Sequence, residues 1–268
     1  MGSAAAARRD ARLRHVHSWA FAIGDGDLRG GVVRRFAPFD LVVVDGEEAS
    51  SRQVAALRRR HKIVLAYLDV GTIEAGRSWY SRAKPYRLDL WGDWGEWYAA
   101  VDRVGYRRLL VRDVAPKILR KGFDGLFLDN TDMIETHARQ RAGMVPLVGD
   151  LSRVVRRRHR LLFSQNGERS IGPTLRFYDG WNREDVTSTY DFGRRRYVRV
   201  SGSDRRAAQR ALRSVRRRRL LVLSTDYVFE GDAAGARSAV GSSCAAGALP
   251  YVSDIGLRRV PRRAFRCP

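Results

Sequence analysis

The chain has 268 residues, 44% of them hydrophobic, with six Trp, ten Tyr and ten Phe, which excludes a disordered chain and allows one large domain or two small ones. A formal charge of +22 invites a nucleic-acid partner, yet only Lys62, Lys84, Lys117 and Lys121 among the 51 basic residues are lysine. That skew is what arginine-favouring codon usage produces, and no nucleic-acid-binding module signature accompanies it, so no specific nucleic-acid partner is expected.

Residues 1–15 read as a flexible tail of small residues and arginines, and residues 16–268 as one folded unit. No apolar h-region of a secretory signal is visible, so the protein is either intracellular or begins after a removed signal. No run approaches the roughly 18 apolar residues of a membrane span. A first strand is expected over 18–24, followed by a Gly/Asp loop and a short helical stretch to Phe36. A second strand, β-branched and unbroken, covers 39–46. Ser50 or Ser51 can cap a helix through Arg60 with Val54, Ala55 and Leu57 inward. The third strand is 63–69.

A long insert over 75–108 carries Trp79, Tyr80, Tyr86, Trp91, Trp94, Trp97 and Tyr98 and shows little periodicity. A short helix over 113–120, with Pro116 early in it, leads to Gly122-Phe123-Asp124-Gly125-Leu126-Phe127-Leu128-Asp129-Asn130-Thr131-Asp132. This is a turn, a short buried strand and a polar cluster at the strand's end. A helix over 146–158 precedes a fifth strand at 161–166, and the sixth is 177–182. A helix over 204–216 leads to the seventh strand, 220–227. A small-residue helix over 233–246 leads to the eighth, 249–254. Four arginine runs (58–60, 156–158, 205–206 and 216–219) are expected at solvated helix C-termini, where the helix dipole favours cations.

Eight strands alternating with helices predict a single α/β domain, a (β/α)8 barrel with an aromatic-rich insert after the third strand; the length fits the roughly 250 residues of that fold. No Gly-x-Gly-x-x-Gly follows a strand, which argues against a doubly wound dinucleotide-binding sheet. In such barrels the active site lies at the strands' C-terminal ends. Those ends supply Asp45, Asp69 with Glu74, Asp129 with Asn130 and Asp132, Gln165 with Asn166 and Glu168, Asn182 with Glu184, Asp226 and Asp254. An acidic rim on so basic a chain, with aromatics nearby, suits carbohydrate and the paired carboxyls of glycoside hydrolysis. Clustered carboxylates can also hold magnesium or calcium. No His stands beside them, so a zinc or iron site is not expected. Cys244 and Cys267 either form one late disulfide, which would suit an exported protein, or are two unrelated thiols.

The runs VLAYLDVGTIE-AGRSWY, GFDGLFLDNTD, FSQNGE, YDGWNRED, LSTDY and GALPYVSD, in this order over residues 18–260, resemble glycoside hydrolase family 114, the endo-α-1,4-polygalactosaminidase-like barrels. GFDGLFLDNTD is the most specific, supported by Tyr67, Gly71 and Glu74. The resemblance implies catalytic carboxyls at the ends of the fourth and sixth strands, hence Asp129 as nucleophile or transition-state stabiliser and Glu184 as general acid/base. Asp45, Tyr67, Asp69, Glu74, Asn130, Asp132, Asn166, Trp181, Asp226 and Tyr251 are the expected substrate-binding residues. Trp79, Trp91, Trp94 and Trp97 are candidates for stacking on sugar.

The implied activity is hydrolysis of an α-linked, galactosamine-containing polysaccharide by a monomer that needs no metal or organic cofactor. An extracellular or cell-envelope location is implied by the same resemblance. A catalytically silent glycan-binding barrel and an arginine-driven nucleic-acid binder are the alternative classes.

Overall fold

The computed structural model describes residues 11–24, 33–60 and 63–268. Eight parallel strands form one sheet in the order β1 (Trp19–Ala22), β2 (Leu41–Asp45), β3 (Ile63–Asp69), β7 (Gly125–Asp129), β8 (Leu161–Gln165), β9 (Gly180–Glu184), β12 (Leu221–Tyr227) and β13 (Leu249–Ser253). The last strand returns to the first through side chains: Trp19 Nε1 donates to the Leu249 carbonyl at 2.8 Å and its ring lies 5.5 Å from that of Tyr251. The result is a nearly closed (β/α)8 barrel. Among the described residues, no helix is long and apolar enough to cross a membrane.

Alternate residues of each strand point into the barrel. Trp19, Phe21 and Phe127 fill its interior, with Phe21 and Phe127 centroids 5.0 Å apart. Phe163 occupies the next position, and Gly180 is what admits it: a Cβ there would overlap the Phe163 ring. Three strands are also stapled at their N-terminal ends by an aspartate that follows an aromatic residue. Asp40 accepts from His17 N at 2.9 Å, Asp124 from Val64 N at 3.0 Å and Asp179 from Leu162 N at 2.9 Å, each bonding the neighbouring strand or its approach.

Helices begin and end largely for the expected reasons. Ser50 makes a full capping box with Gln53 ahead of Ser51–Arg58, and the helices ending at Arg58, Arg156 and Arg216 carry arginine in the last turn. Arg205 and Arg206 are the exception. Their helix is Gly202–Arg216, so they lie near its N-terminus, behind the Ser201 cap and Asp204. Pro146 is inside the helix Arg141–Arg156 rather than at its start. Pro116 follows a π-helical turn, Leu109–Val114, which loosens the ladder where proline supplies no N–H.

Three expectations are corrected. The sixth barrel strand begins at Gly180, because Leu175–Phe177 is a 3-10 turn, and Glu184 is therefore its last residue. The insert is ordered: β4 (Thr72–Ile73), β5 (Arg87–Trp91) and β6 (Glu96–Ala99) form an antiparallel sheet. A second hairpin joins β10 (Ser188–Asp191) to β11 (Arg196–Arg199). Of the expected tail, residues 1–10 lie outside the described residues, whereas Leu13 is buried in the core and Arg12 stands 3.7 Å from Asp124. The helical stretch expected before Phe36 lies mostly outside the described residues.

Cys244 and Cys267 form a disulfide, with Cα atoms 5.4 Å apart, that ties the helix Ala233–Ala245 to the C-terminal segment. Its 23-residue separation predicts about 3 kcal/mol of stabilisation through loop entropy in the unfolded chain. Replacing both cysteines with Ser is expected to lower the urea unfolding free energy by that amount, and an unchanged midpoint would refute it.

Candidate active site

At the C-terminal mouth of the barrel, Asp129 and Glu184 line one cleft of about 410 Å³. They end β7 and β9, and Gln165 ends β8 between them. The residue following each strand is left-handed: Asn130 at φ 54°, Asn166 at φ 55° and Asp185 at φ 56°. Asn and Asp tolerate that conformation better than other side-chain-bearing residues. The chain thus turns away immediately behind each functional group, which leaves the mouth open.

Each carboxyl is held by a tyrosine and an amide. Asp129 Oδ2 accepts from Tyr67 OH at 2.7 Å, and Oδ1 accepts from Gln165 Nε2 at 2.5 Å and from Asn130 N at 2.7 Å. Glu184 Oε2 accepts from Asn166 Nδ2 at 2.7 Å, while the Tyr227 hydroxyl bonds Oε1. The amides cannot turn over. Glu184 N donates to Asn166 Oδ1 at 3.1 Å, which leaves Nδ2 facing the carboxyl. Gln165 is oriented from behind: Thr225 Oγ1 donates to Asn182 Oδ1 at 3.2 Å, and Asn182 Nδ2 donates to Gln165 Oε1 at 3.1 Å.

Burial raises both carboxyls, Asp129 to about 8 with help from Asp69 and Glu184, and Glu184 to about 7 with help from Asp185. Near neutral pH the pair therefore holds a proton between them. Asp129 has three donors, two of which (an amide and a backbone N–H) can only donate, and these favour its charged form. Glu184 has one such donor. The proton belongs on Glu184.

Other carboxyls complete the mouth. Burial lifts Asp132 and Glu74 each to about 7 and Asp185 to about 6. Arg77 bridges Glu74 Oε1 at 2.5 Å and Asp45 Oδ2 at 2.6 Å. Glu96 reaches in from the first hairpin. It and Asp69 each place an oxygen 2.5 Å from Thr72 Oγ1. A hydroxyl has one hydrogen, so a second proton must join that trio; burial and the Asp69 charge raise Glu96 to about 9 and put it there. Asp69, Glu74 and Glu96 bring ligand atoms within 4.8 Å of one another, the group among the described residues that could hold a cation.

Of the expected substrate-binding residues, Tyr67, Glu74, Asn130, Asp132 and Asn166 line the cleft and five do not. Asp45 caps the following turn through Glu47 N at 2.7 Å and Glu48 N at 2.9 Å, besides holding Arg77. Asp69 accepts from Gly71 N, Thr72 N and Asn130 Nδ2 and is 2% exposed. Trp181 and Asp226 have the outward parity of their strands. Trp181 Nε1 donates to Asn166 O at 2.8 Å, and Asp226 ties down Thr187 N and Ser188 N. Tyr251 points inward but below the mouth, against Trp19 and Phe39.

Sequence reasoning missed Glu96, Asp185, Tyr190 and Phe192 at the cleft, and did not single out Gln165 or Tyr227. Strand parity pointed to Gln165 and Tyr227; the hairpin residues carried no such signal. Trp91 and Trp94 line the cleft, and Trp94 meets Phe192 of the other hairpin edge to face at 5.1 Å. Trp79 and Trp97 are not in its wall.

Two buried carboxyls sharing a proton in a polar, aromatic-walled cleft are the equipment of glycoside hydrolysis. The structure is similar to the glycoside hydrolase domain of PelA from Pseudomonas aeruginosa (TM-score 0.78, 22% identity, 91% of this chain and 96% of that one). It is also similar to Ega3 from Aspergillus fumigatus, solved in complex with galactosamine (TM-score 0.68, 15% identity, 94% and 95%). An uncharacterized protein of Methanocaldococcus jannaschii, MJ1477, is 24% identical over 195 residues, which are 63% of this chain and 56% of that protein. The chain thus matches little more than half the length of that relative. Residues 2–263 match the profile of Glycoside-hydrolase family GH114. With the match running over nearly all of the barrel and its mouth, the chain belongs to glycoside hydrolase family GH114.

Proposed function

We propose that this glycoside hydrolase cleaves an α-linked, galactosamine-containing polysaccharide at internal bonds, with Glu184 as general acid/base and Asp129 as the charged partner at the anomeric carbon. The observation that carries this reading is that both carboxyls line one cleft and are each clamped by a tyrosine hydroxyl and an amide. Glu184 gives its proton to the leaving oxygen. Asp129, kept ionised by three donors, stabilises the oxocarbenium-like transition state or attacks it.

The substrate class draws on the family and on the galactosamine bound to Ega3. It is also chemically consistent with the mouth. Glu74, Asp132 and Asp185 are carboxyls poised to ionise beside an ammonium group, and a cation brought near them lowers their pKa values. The +22 body opposes a cationic polymer at long range, so this local acidity must overcome it.

The test is reducing-end release from partially N-acetylated α-1,4-galactosaminan, compared with fully acetylated and anionic polymers. The expected result is a ladder of oligosaccharides from galactosaminan. Binding without any release would instead identify a silent glycan-binding barrel, and hydrolysis confined to a polymer without galactosamine would overturn the substrate class.

A further inference from the structure

Behind Arg77, on the flank of the mouth, a second and smaller cavity of about 300 Å³ is lined by Glu47, Trp79, Lys117, Ile118 and Lys121 among others. It shares no lining residue with the cleft. Its walls are firmly built. Glu47 N donates to Asp45 at 2.7 Å, its carbonyl accepts from Lys121 Nζ at 2.6 Å, and its Oε1 accepts from Ser78 N at 2.7 Å. Trp79 is 7% exposed and packed in the core.

Two buried polar atoms of this cavity have no partner among the described residues: the Trp79 indole Nε1, a donor, and Glu47 Oε2, an acceptor. Leaving such atoms unsatisfied costs about 1–3 kcal/mol each. Their opposite needs restrict what can fill the cavity. A carboxylate or phosphate would satisfy the indole but face the Glu47 carboxylate. An ammonium would satisfy Glu47 but face Lys117, Lys121 and Arg82, the last of which is paired with Asp113. A hydroxyl both accepts and donates, and carries no charge. The apolar part of the lining (the Trp79 ring, Val114 and Ile118) suits the carbon face of a sugar ring. The volume is at the small end of ligand pockets, roughly 300–1,000 Å³, the size for one ring rather than a chain.

We propose that this cavity is a second carbohydrate site that takes a single neutral sugar residue, with one or more hydroxyls accepting from Trp79 Nε1 and donating to Glu47 Oε2. The choice of a galacto-configured, N-acetylated ring rests on the substrate class proposed above; the preference for a neutral polyol does not. Acidic cleft and neutral side pocket would then read different residues of one partly acetylated polymer.

The test uses the intact chain, 15N-labelled, and follows the indole N–H cross-peaks of its six tryptophans during titration with N-acetylgalactosamine and separately with galactosamine at neutral pH. Trp79→Phe assigns the Trp79 cross-peak by its disappearance. The expected result is a saturable shift of that cross-peak with N-acetylgalactosamine, about tenfold weaker with galactosamine, and weakened about tenfold by Glu47→Gln, which turns the stranded acceptor into a second donor. Glu47→Gln keeps the Trp79 cross-peak, so the prediction survives should Trp79→Phe fail to fold. A Trp79 cross-peak that stays fixed, whether or not those of Trp91 and Trp94 in the cleft move, overturns the proposal, as does equal affinity for the two sugars. A moving Trp79 signal in a protein that hydrolyses no galactosaminan would leave the pocket standing and remove the hydrolase reading instead.

Discussion

Asp129→Asn is expected to lower galactosaminan hydrolysis on the order of 10⁴-fold, the scale at which one essential charged group acts in a cooperating set. The substitution should leave the fold alone. An asparagine oxygen can still accept from Gln165 Nε2 and Asn130 N, and its amide can donate to the Tyr67 oxygen, which then acts as acceptor. Stability carries a sign that separates loss of chemistry from loss of structure. The folded-state pKa of Asp129 is raised to about 8, so its contribution is fully present below the unfolded value of about 3.9 and is lost as pH rises through 8. The introduced amide does not titrate, so the variant should match the parent at low pH and melt higher than it at pH 9. Thermal unfolding at both pH values, measured beside the rates, decides the matter. A variant that is inactive and also less stable at every pH would mean that Asp129 is a structural residue.

Glu184→Gln should cost about 10²–10⁴-fold on the polymer, the usual share of general acid catalysis, and its signature lies in the leaving group. An aryl glycoside whose phenolate departs without a proton is expected to be cleaved within about tenfold of the parent rate. The negative charge of Glu184 is one of the causes that hold the Asp129 carboxyl up, so removing it should also move the acidic limb of the aryl-glycoside profile to lower pH. Equal losses on polymer and aryl glycoside would take the acid role away from Glu184 and leave it a binding residue.

The barrel was legible because its strands are buried on both faces and read as unbroken apolar runs. Ile63–Asp69 and Leu161–Gln165 were readable almost to the residue. The sixth strand starts three residues later than its sequence suggests, since Phe177-Tyr178 looks like strand but belongs to a turn and its staple. Which rim residues face the cleft was also partly legible. Thr225 and Tyr227 point inward, so Asp226 between them must point out, and the same alternation removes Trp181 from between Gly180 and Asn182.

Glu96 and Phe192 were out of reach. Their hairpins pair strands across the turns 92–95 and 192–195, and only the tertiary fold brings them over the mouth. The three left-handed residues behind the strand ends, Asn130, Asn166 and Asp185, are of types consistent with their conformation yet too common in loops to have singled them out.

The hydrogen-bond relay Thr225–Asn182–Gln165–Asp129 crosses four neighbouring strands and contains only one group free to choose its direction, the threonine hydroxyl at its far end. The polarity of the whole line is inherited from that end. Were the threonine hydroxyl absent, nothing in the relay would distinguish the two faces of the Asn182 amide; a reversed Asn182 would reverse Gln165 and turn a carbonyl oxygen toward the Asp129 charge. Catalytic competence in this barrel is thus vulnerable at a distance, through a methyl-sized edit to a side chain that no sugar meets.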